Sequence, residues 1–566
     1  MRRTLPAQRQ PAGLAFFLSV GEGLDQDRDL QKLRNFNYLR AHSTYIALCH
    51  FFPDLAMLIV ATLLTKTRLV FVALFVLLVL VLPLTDPDYF WHLKAGEIIL
   101  SQRALPAGDV FSFTRAGQPW VLHEWLFEVM LFAAFALGGA FGVKLLAASL
   151  ITATLGLTFC LTRRMGQSSS VAFILVICGG FVFAGGWSPR PQLVTYLLFA
   201  VYLALLLQSK YEGARRALVL LPLLMLLWVN FHGGYVIGIA LTLLFTGAEW
   251  LGWWFGAERT LASRRRLVHL SWIAAATVLA SLANPEFARH WLYPFQVLGM
   301  EANRSIQEWQ SPDFHGLGAQ GYLLLCGLFL LASLYAKPRA DLTELLIPGF
   351  FLFNGFVSVR HMPLAVLTLV PFIALALARG GAAACAACWQ DSRLGRWHAG
   401  TAAGGKQLGR VAEGILNWML LLAIVLGLLL CQPLFQAHAA RRAAGLPAAA
   451  ADYVIANRIA GNMFNTYADG GYLIYRFGPR RKVLIDGRVD VYGDAFFKDY
   501  NAIYFGTARW KEKFDRLAID FAILDKDAPL RQLLLADGSF REAYSDPHHS
   551  VLLRTAPRQA LLSSAR

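Results

Sequence analysis

The stretch DPDYFWHLK, Asp86 to Lys94, follows directly on the apolar run LVFVALFVLLVLVLPL, residues 69–84. Two carboxylates, a histidine and a lysine appear among aromatics at the point where a bilayer-length segment ends. Ionisable groups are costly at membrane depth, so such residues read as functional. The plainer reading is that Asp86 and Asp88 mark the polar end of a helix. The rest of the chain bears on that choice.

Of 566 residues, 57% are hydrophobic and 16% charged, and the mean hydropathy is +0.48. A soluble chain carries about a quarter charged residues. Apolar runs close to bilayer length recur from Leu69 to Leu430, which predicts a polytopic α-helical membrane protein with about eleven spans. They lie near Leu69–Leu84, Gly142–Cys160, Val171–Ala184, Leu193–Leu207, Ala217–Phe231, Tyr235–Phe255, Leu267–Leu282, Tyr322–Tyr335, Leu345–Val357, Pro363–Ala378 and Ile415–Leu430. Leu126–Ala140, interrupted by Glu128 and ending in Gly-Gly, reads as an amphipathic interfacial helix. Ile46–Leu64, broken by His50, Pro53 and Asp54, reads as interfacial or buried. The net charge of +16 then records topology and gives no reason to expect nucleic acid as a partner. Residues 1–66 lack the pattern of a signal peptide and read as a cytoplasmic or interfacial extension. None of the seven cysteines falls after Cys431, so no disulfide framework is expected there, and Cys385-Ala-Ala-Cys388 reads as a chance spacing in an Ala-rich loop.

With that span assignment the basic clusters share one side: Lys66 and Arg68, Arg163 and Arg164, Lys210 with Arg215 and Arg216, Arg264 to Arg266, Lys337 and Arg339, Arg379, and Arg393 to Arg410. The positive-inside rule makes it the cytoplasm. The other face collects DPDYFWHLK, His123-Glu124-Trp125, Arg190 in GGWSPRPQ, and Asn230 and His232 in NFHGGY. It also collects Asn284, Glu308 in SIQEW, Arg360-His361 and the polar tail. The expected units are the extension 1–66, a transmembrane domain 67–431 with a first external loop 85–141, and an extracytoplasmic α/β domain 432–566. In that tail AADYVIANRI has helical spacing, whereas YLIYRF, KVLID, FAIL and SVLLRT read as strands. Gly470-Gly471 and Asp486-Gly487 read as turns, and Gly380–Lys406 as a connecting loop.

Four stretches together resemble the catalytic subunit of oligosaccharyltransferase, within the GT-C superfamily of membrane glycosyltransferases. They are Asp86-Pro-Asp88 after the first span, Ser305-Ile306-Gln307-Glu308 in a late external loop, Arg360 at the outer end of a late span, and Tyr467-Ala-Asp469-Gly-Gly-Tyr472, a degraded likeness of the family's Trp-Trp-Asp-Tyr-Gly. The general plan is also similar to the lipid-A aminoarabinose and protein mannosyl transferases. The next external loop lacks the family's second acidic motif, and the paired tryptophans are missing, which puts asparagine glycosylation in doubt.

The resemblance implies transfer of a sugar or glycan from a polyprenyl-phosphate or -pyrophosphate carrier to a lipid, glycan or protein acceptor, at the outer face of the plasma (inner) membrane and among its lipids. It casts Asp88 as base or metal ligand, Asp86 as its partner and Glu308 as the group that orients the acceptor. Asp86 and Asp88 would hold Mg2+ or Mn2+. Arg360, with Arg190 and Lys94, would hold the phosphate, since a guanidinium fork matches phosphate oxygens. His92, His123, Glu124, His232, Asp469, Tyr472 and Asp486 are further candidates, and Glu124 could supply the carboxylate missing from the next loop. The alternatives are a secondary transporter, against which the one-sided polar residues speak, and a non-catalytic protein of the same fold.

Overall fold

The computed structural model describes residues 67–380 and 445–555, apart from positions 85, 168, 183, 257–259 and 508, together with Met419, Leu422 and Leu426. The extension 1–66, including Ile46–Leu64, the Cys385–Cys388 pair, most of the connecting loop, Arg393 to Arg410 and most of the last apolar run lie outside the described residues.

Ten of the eleven apolar runs coincide with helices. These are α1 (Thr67–Val81), the second half of α3 (Trp125–Arg164), α4 (Ser169–Val182), α5 (Gln192–Tyr211), α6 (Leu220–Phe231), α7 (Tyr235–Phe255), α8 (Leu261–Ala280), α10 (Leu317–Tyr335), α11 (Leu342–Val357) and α12 (Met362–Arg379). Between them come α2 (Pro87–Gln102) and α9 (Phe287–Leu298). Among the described residues, five helices are long and apolar enough to cross a membrane: α3, α5, α7, α10, and α12 counted from Val359. The helix α3 is broken at Gly139, whose φ of 57° and ψ of −145° are not helical. The left-handed region is cheap only for glycine, so the Gly-Gly pair divides the helix into two segments.

The bundle core is made by residues such as Trp228, Tyr202 and Tyr322, all fully buried. Their polar tips are satisfied inside it: the Tyr202 hydroxyl donates to the Leu221 carbonyl at 2.5 Å and Tyr322 to Leu352 at 2.7 Å. A buried hydroxyl without a partner costs about 1–3 kcal/mol, so these bonds let large aromatics fill the interior.

The tail is a small α/β unit. Its helices are α13 (Ala448–Ala456), α14 (Gly470–Phe477), α15 (Val489–Tyr504), α16 (Trp510–Arg516) and α17 (Pro529–Ala536), and its strands are β1 (Met463–Asn465), β2 (Phe521–Asp525), β3 (Phe540–Ser545) and β4 (His549–Arg554). The sheet order is β1-β2-β4-β3, with only the β1–β2 pair parallel. FAIL and SVLLRT are strands and AADYVIANRI is largely helix, as read. YLIYRF is not a strand: it forms most of α14, opened rather than interrupted by Gly470-Gly471. A short apolar run lacks the period that separates the two states, and here packing on α2 decided, with Tyr472 edge-on to Phe90 at 4.9 Å. KVLID contributes a single bridge, Val483 to Ser112. That bridge belongs to a larger seam between the loop 103–124 and the tail. Arg488 reaches Asp109 at 2.8 Å and Asp486 at 2.7 Å, and its guanidinium lies 4.5 Å above the Trp120 ring.

Candidate functional site

Asp86 and Asp88 stand at the start of α2. Asp86 caps it, with Oδ1 accepting from the Asp88 N–H at 2.9 Å, so the plain helix-end reading is true of one oxygen. The other oxygen accepts from the Ser188 hydroxyl at 2.6 Å and faces Arg190 at 3.6 Å. Arg190 also reaches Asp88 Oδ2 and Glu308 Oε1, each at 2.9 Å. One guanidinium therefore gathers three carboxylates from two distant parts of the chain, while its own Nε–H, buried, has no partner. Glu308 meets a second cation, Arg360, at 3.9 Å, and Arg360 lies 5.0 Å above the Trp309 ring. Asp88 Oδ1 accepts from the Trp91 indole at 3.1 Å. Burial, and to a smaller extent the neighbouring Asp86, lift Asp88 to about 6 against the pull of Arg190. That is the range in which a carboxylate exchanges a proton near neutrality.

A second cluster adjoins the first. Glu124, buried, faces three imidazoles: His123 Nε2 at 3.2 Å, His232 Nε2 at 3.4 Å and His92 Nε2 at 3.6 Å. His232 Nδ1 accepts from the Gly234 N–H at 3.2 Å and lies 2.7 Å from the Thr195 hydroxyl. Its proton is thereby assigned to Nε2, aimed at Glu124. His123 Nδ1 donates to the Val121 carbonyl at 3.1 Å. Burial would raise the Glu124 carboxyl, but the three imidazoles, His123 foremost, together hold Glu124 well below the usual range. His123 in turn is raised by Glu124 despite burial, whereas burial lowers His92 and His232 to about 3. His92 Nδ1 lies 3.2 Å from Glu128, which burial and Glu124 push well up.

Both clusters line a single cavity of about 490 Å³. Its walls come from α2, the loops at one end of the bundle, and the tail through Tyr467, Ala468, Gly487, Arg488 and Asp490. Gly487 sits so close that a Cβ there would lie 1.9 Å from Asp88 Oδ1.

No protein-family model matches the sequence, and no curated protein does. Among solved structures, the archaeal oligosaccharyltransferase AglB of Archaeoglobus fulgidus, in complex with an inhibitory peptide and a dolichol-phosphate, superposes with a TM-score of 0.50 at 12% identity, over 84% of this chain and 70% of that one. The chain has an oligosaccharyltransferase-like fold. The apo form of an oligosaccharyltransferase of the same archaeon matches at a TM-score of 0.47 and 13% identity, over 83% and 69% of the two chains.

At Asp86 and Asp88, where a divalent ion was expected, Arg190 lies 3.6 and 2.9 Å from the two carboxylates. Among the described residues, two trios bring donor atoms within 4.8 Å of one another: His92, Glu124 and Glu128, and Asp469, Asp525 and His549. Of the expected site residues, Asp86, Asp88, His92, His123, Glu124, Arg190, His232, Glu308 and Arg360 meet in the cavity. Lys94 does not line it and pairs with Glu97 at 2.8 Å. Asp469, Tyr472 and Asp486 are also outside its walls: Tyr472 packs on Phe90, and Asp486 holds Arg488 and the Tyr492 hydroxyl. Glu124 faces the imidazoles, and the third carboxylate on Arg190 is Glu308. Sequence reasoning missed Trp309, Asp490 and Arg488 as lining residues. Trp309 stands beside Glu308 in SIQEW, but the other two had no local signal.

Proposed function

We propose that the protein is a membrane glycosyltransferase. It moves a sugar or glycan from a polyprenyl-phosphate or -pyrophosphate carrier to a lipid, glycan or protein acceptor at the extracytoplasmic face of the inner membrane. The observation that carries this reading is the convergence of Asp86, Asp88, Glu308, Arg190 and Arg360 in a cavity at the ends of apolar helices. A carrier with its tail in the bilayer presents its reactive carbon at that height. The fold adds support, since the archaeal structure that shares it was determined with a dolichol-phosphate and a peptide. A secondary transporter fits less well, because its polar site belongs near the bilayer midplane and not at one end of the bundle.

In this reading Asp88 accepts the acceptor's proton as the acceptor oxygen or nitrogen bonds to the sugar carbon. The bond from that carbon to the phosphate oxygen breaks, and the electron pair leaves with the phosphate. Arg360 receives that charge, because it is only lightly engaged by Glu308 at 3.9 Å and is the more exposed of the two arginines. Arg190 fixes the carboxylates and directs its unpartnered Nε–H to the same group. Asp88→Asn is nearly isosteric but removes the basic lone pair, so transfer from a purified lipid-linked donor should fall roughly a hundred- to ten-thousand-fold at normal expression. Near-normal transfer by that variant would return Asp88 to a helix-end role. Cells lacking the protein should accumulate the lipid-linked sugar.

A further inference from the structure

A site outside the cavity lies in the tail. The strands β1 and β2 run parallel, and their carboxyl ends open onto the loop 466–469 and onto Asp525. Ligands of open α/β sheets settle at such ends. There His549, opposite Asp525 in the β2–β4 register, turns Nε2 toward Asp525 Oδ1 at 3.3 Å and Asp469 Oδ2 at 3.5 Å. The imidazole is 2% exposed, and Nε2 makes no hydrogen bond of proper geometry. We propose that Asp469, Asp525 and His549 bind one divalent transition-metal ion, zinc by the character of the set.

Two ligand atoms about 2.0–2.1 Å from a tetrahedral ion lie about 3.3–3.4 Å apart, close to the 3.3 and 3.5 Å that His549 keeps from the two carboxylates. An imidazole with two carboxylates suits zinc, whereas magnesium and calcium prefer oxygen alone. Hydroxyls already steady the ligands: Thr466 donates to Asp469 at 2.6 Å and Tyr504 to Asp525 at 3.4 Å. The fourth position opens through Asp525, whose side chain is 39% exposed. The ion would tie the segment that carries Tyr467, a cavity residue, to the sheet. Its function is structural, so it stands apart from the glycosyl-transfer reading.

The full chain in detergent, stripped with chelator and dialysed against micromolar zinc, should hold about one zinc per chain by elemental analysis. Its unfolding temperature should rise with zinc concentration, as for any ligand of the native state. Asp525→Asn, at a partly exposed position, should fold, lose the zinc and lose the response. Glu128→Gln should keep both. If the wild type takes up no zinc, or Asp525→Asn holds as much as the wild type, the proposal fails and the trio is an ion pair. Zinc lost in Glu128→Gln but kept in Asp525→Asn would move the ion to the cavity and overturn the proposal too.

Discussion

The helix α5 has 20 residues, about 30 Å of helix, and its two ends differ. Near its last turn, Lys210 pairs with Glu249 and with Asp341 at 2.8 Å, Arg266 with Glu249 at 2.7 Å, and Arg379 with Glu344. These basic residues come from three of the clusters that the positive-inside rule placed together, and each has a carboxylate of its own or a share of one. At the first turn, Arg190 serves three carboxylates beside a cavity, and Asp88 is left with a raised proton affinity. Matched pairs tie helices together. A surplus of carboxylates beside open space is chemistry held ready for a ligand, and perturbed groups in a cleft carry that meaning.

The comparison breaks most visibly at Arg190. Arg190→Met leaves Asp86, Asp88 and Glu308 without their shared cation. Removing one partner of a buried ion pair costs about 3–5 kcal/mol, so thermal unfolding in detergent should shift strongly and transfer should vanish. Gly487→Ala should come next. Its Cβ would collide with the Asp88 carboxylate, and a displacement of about 1 Å at a reacting group costs on the order of a hundredfold. Transfer should fall by that order while the helix bundle still folds, and normal turnover would show that the tail can withdraw from Asp88.

A gentler probe is pH. With Asp88 at about 6, transfer should fall about tenfold per pH unit below that value, because the base is then protonated. The sign for stability is opposite. The folded chain binds this proton more tightly than the unfolded one, so Asp88 favours the fold below 3.8 and that contribution is lost as pH rises through about 6. Asp88→Asn should flatten both dependences. Lys210→Met at the far end should be mildest: Glu249 keeps Arg266, so the cost is about 1–2 kcal/mol, read as a small fall in unfolding temperature with transfer unchanged. A loss of transfer there would erase the distinction between the two ends.

Much of the site was legible because its residues carry chemistry in local patterns. DPDYFWHLK, SIQEW and SVRHMP each announce a polar group at the end of an apolar run, and all three reach the cavity. The role of Arg190 was not legible. A lone arginine in GGWSPRPQ suggests a phosphate ligand, and only the convergence of Asp86, Asp88 and Glu308 upon it makes it a fixed cation. Likewise His92, His123 and His232 read as separate candidates until the fold turned all three toward Glu124.

The sequence by itself determined the membrane class, the positions of ten apolar helices and the break at Gly139, because hydrophobic length and glycine's conformational range are local properties. It could not determine whether YLIYRF is strand or helix, why position 487 needs glycine, or which carboxylate completes the Asp86–Asp88 group. Those were decided by contacts between residues far apart in the chain, Glu308 lying 118 positions from Arg190. Such contacts depend on packing and on charge meeting charge in a buried place, and no window of the sequence contains them.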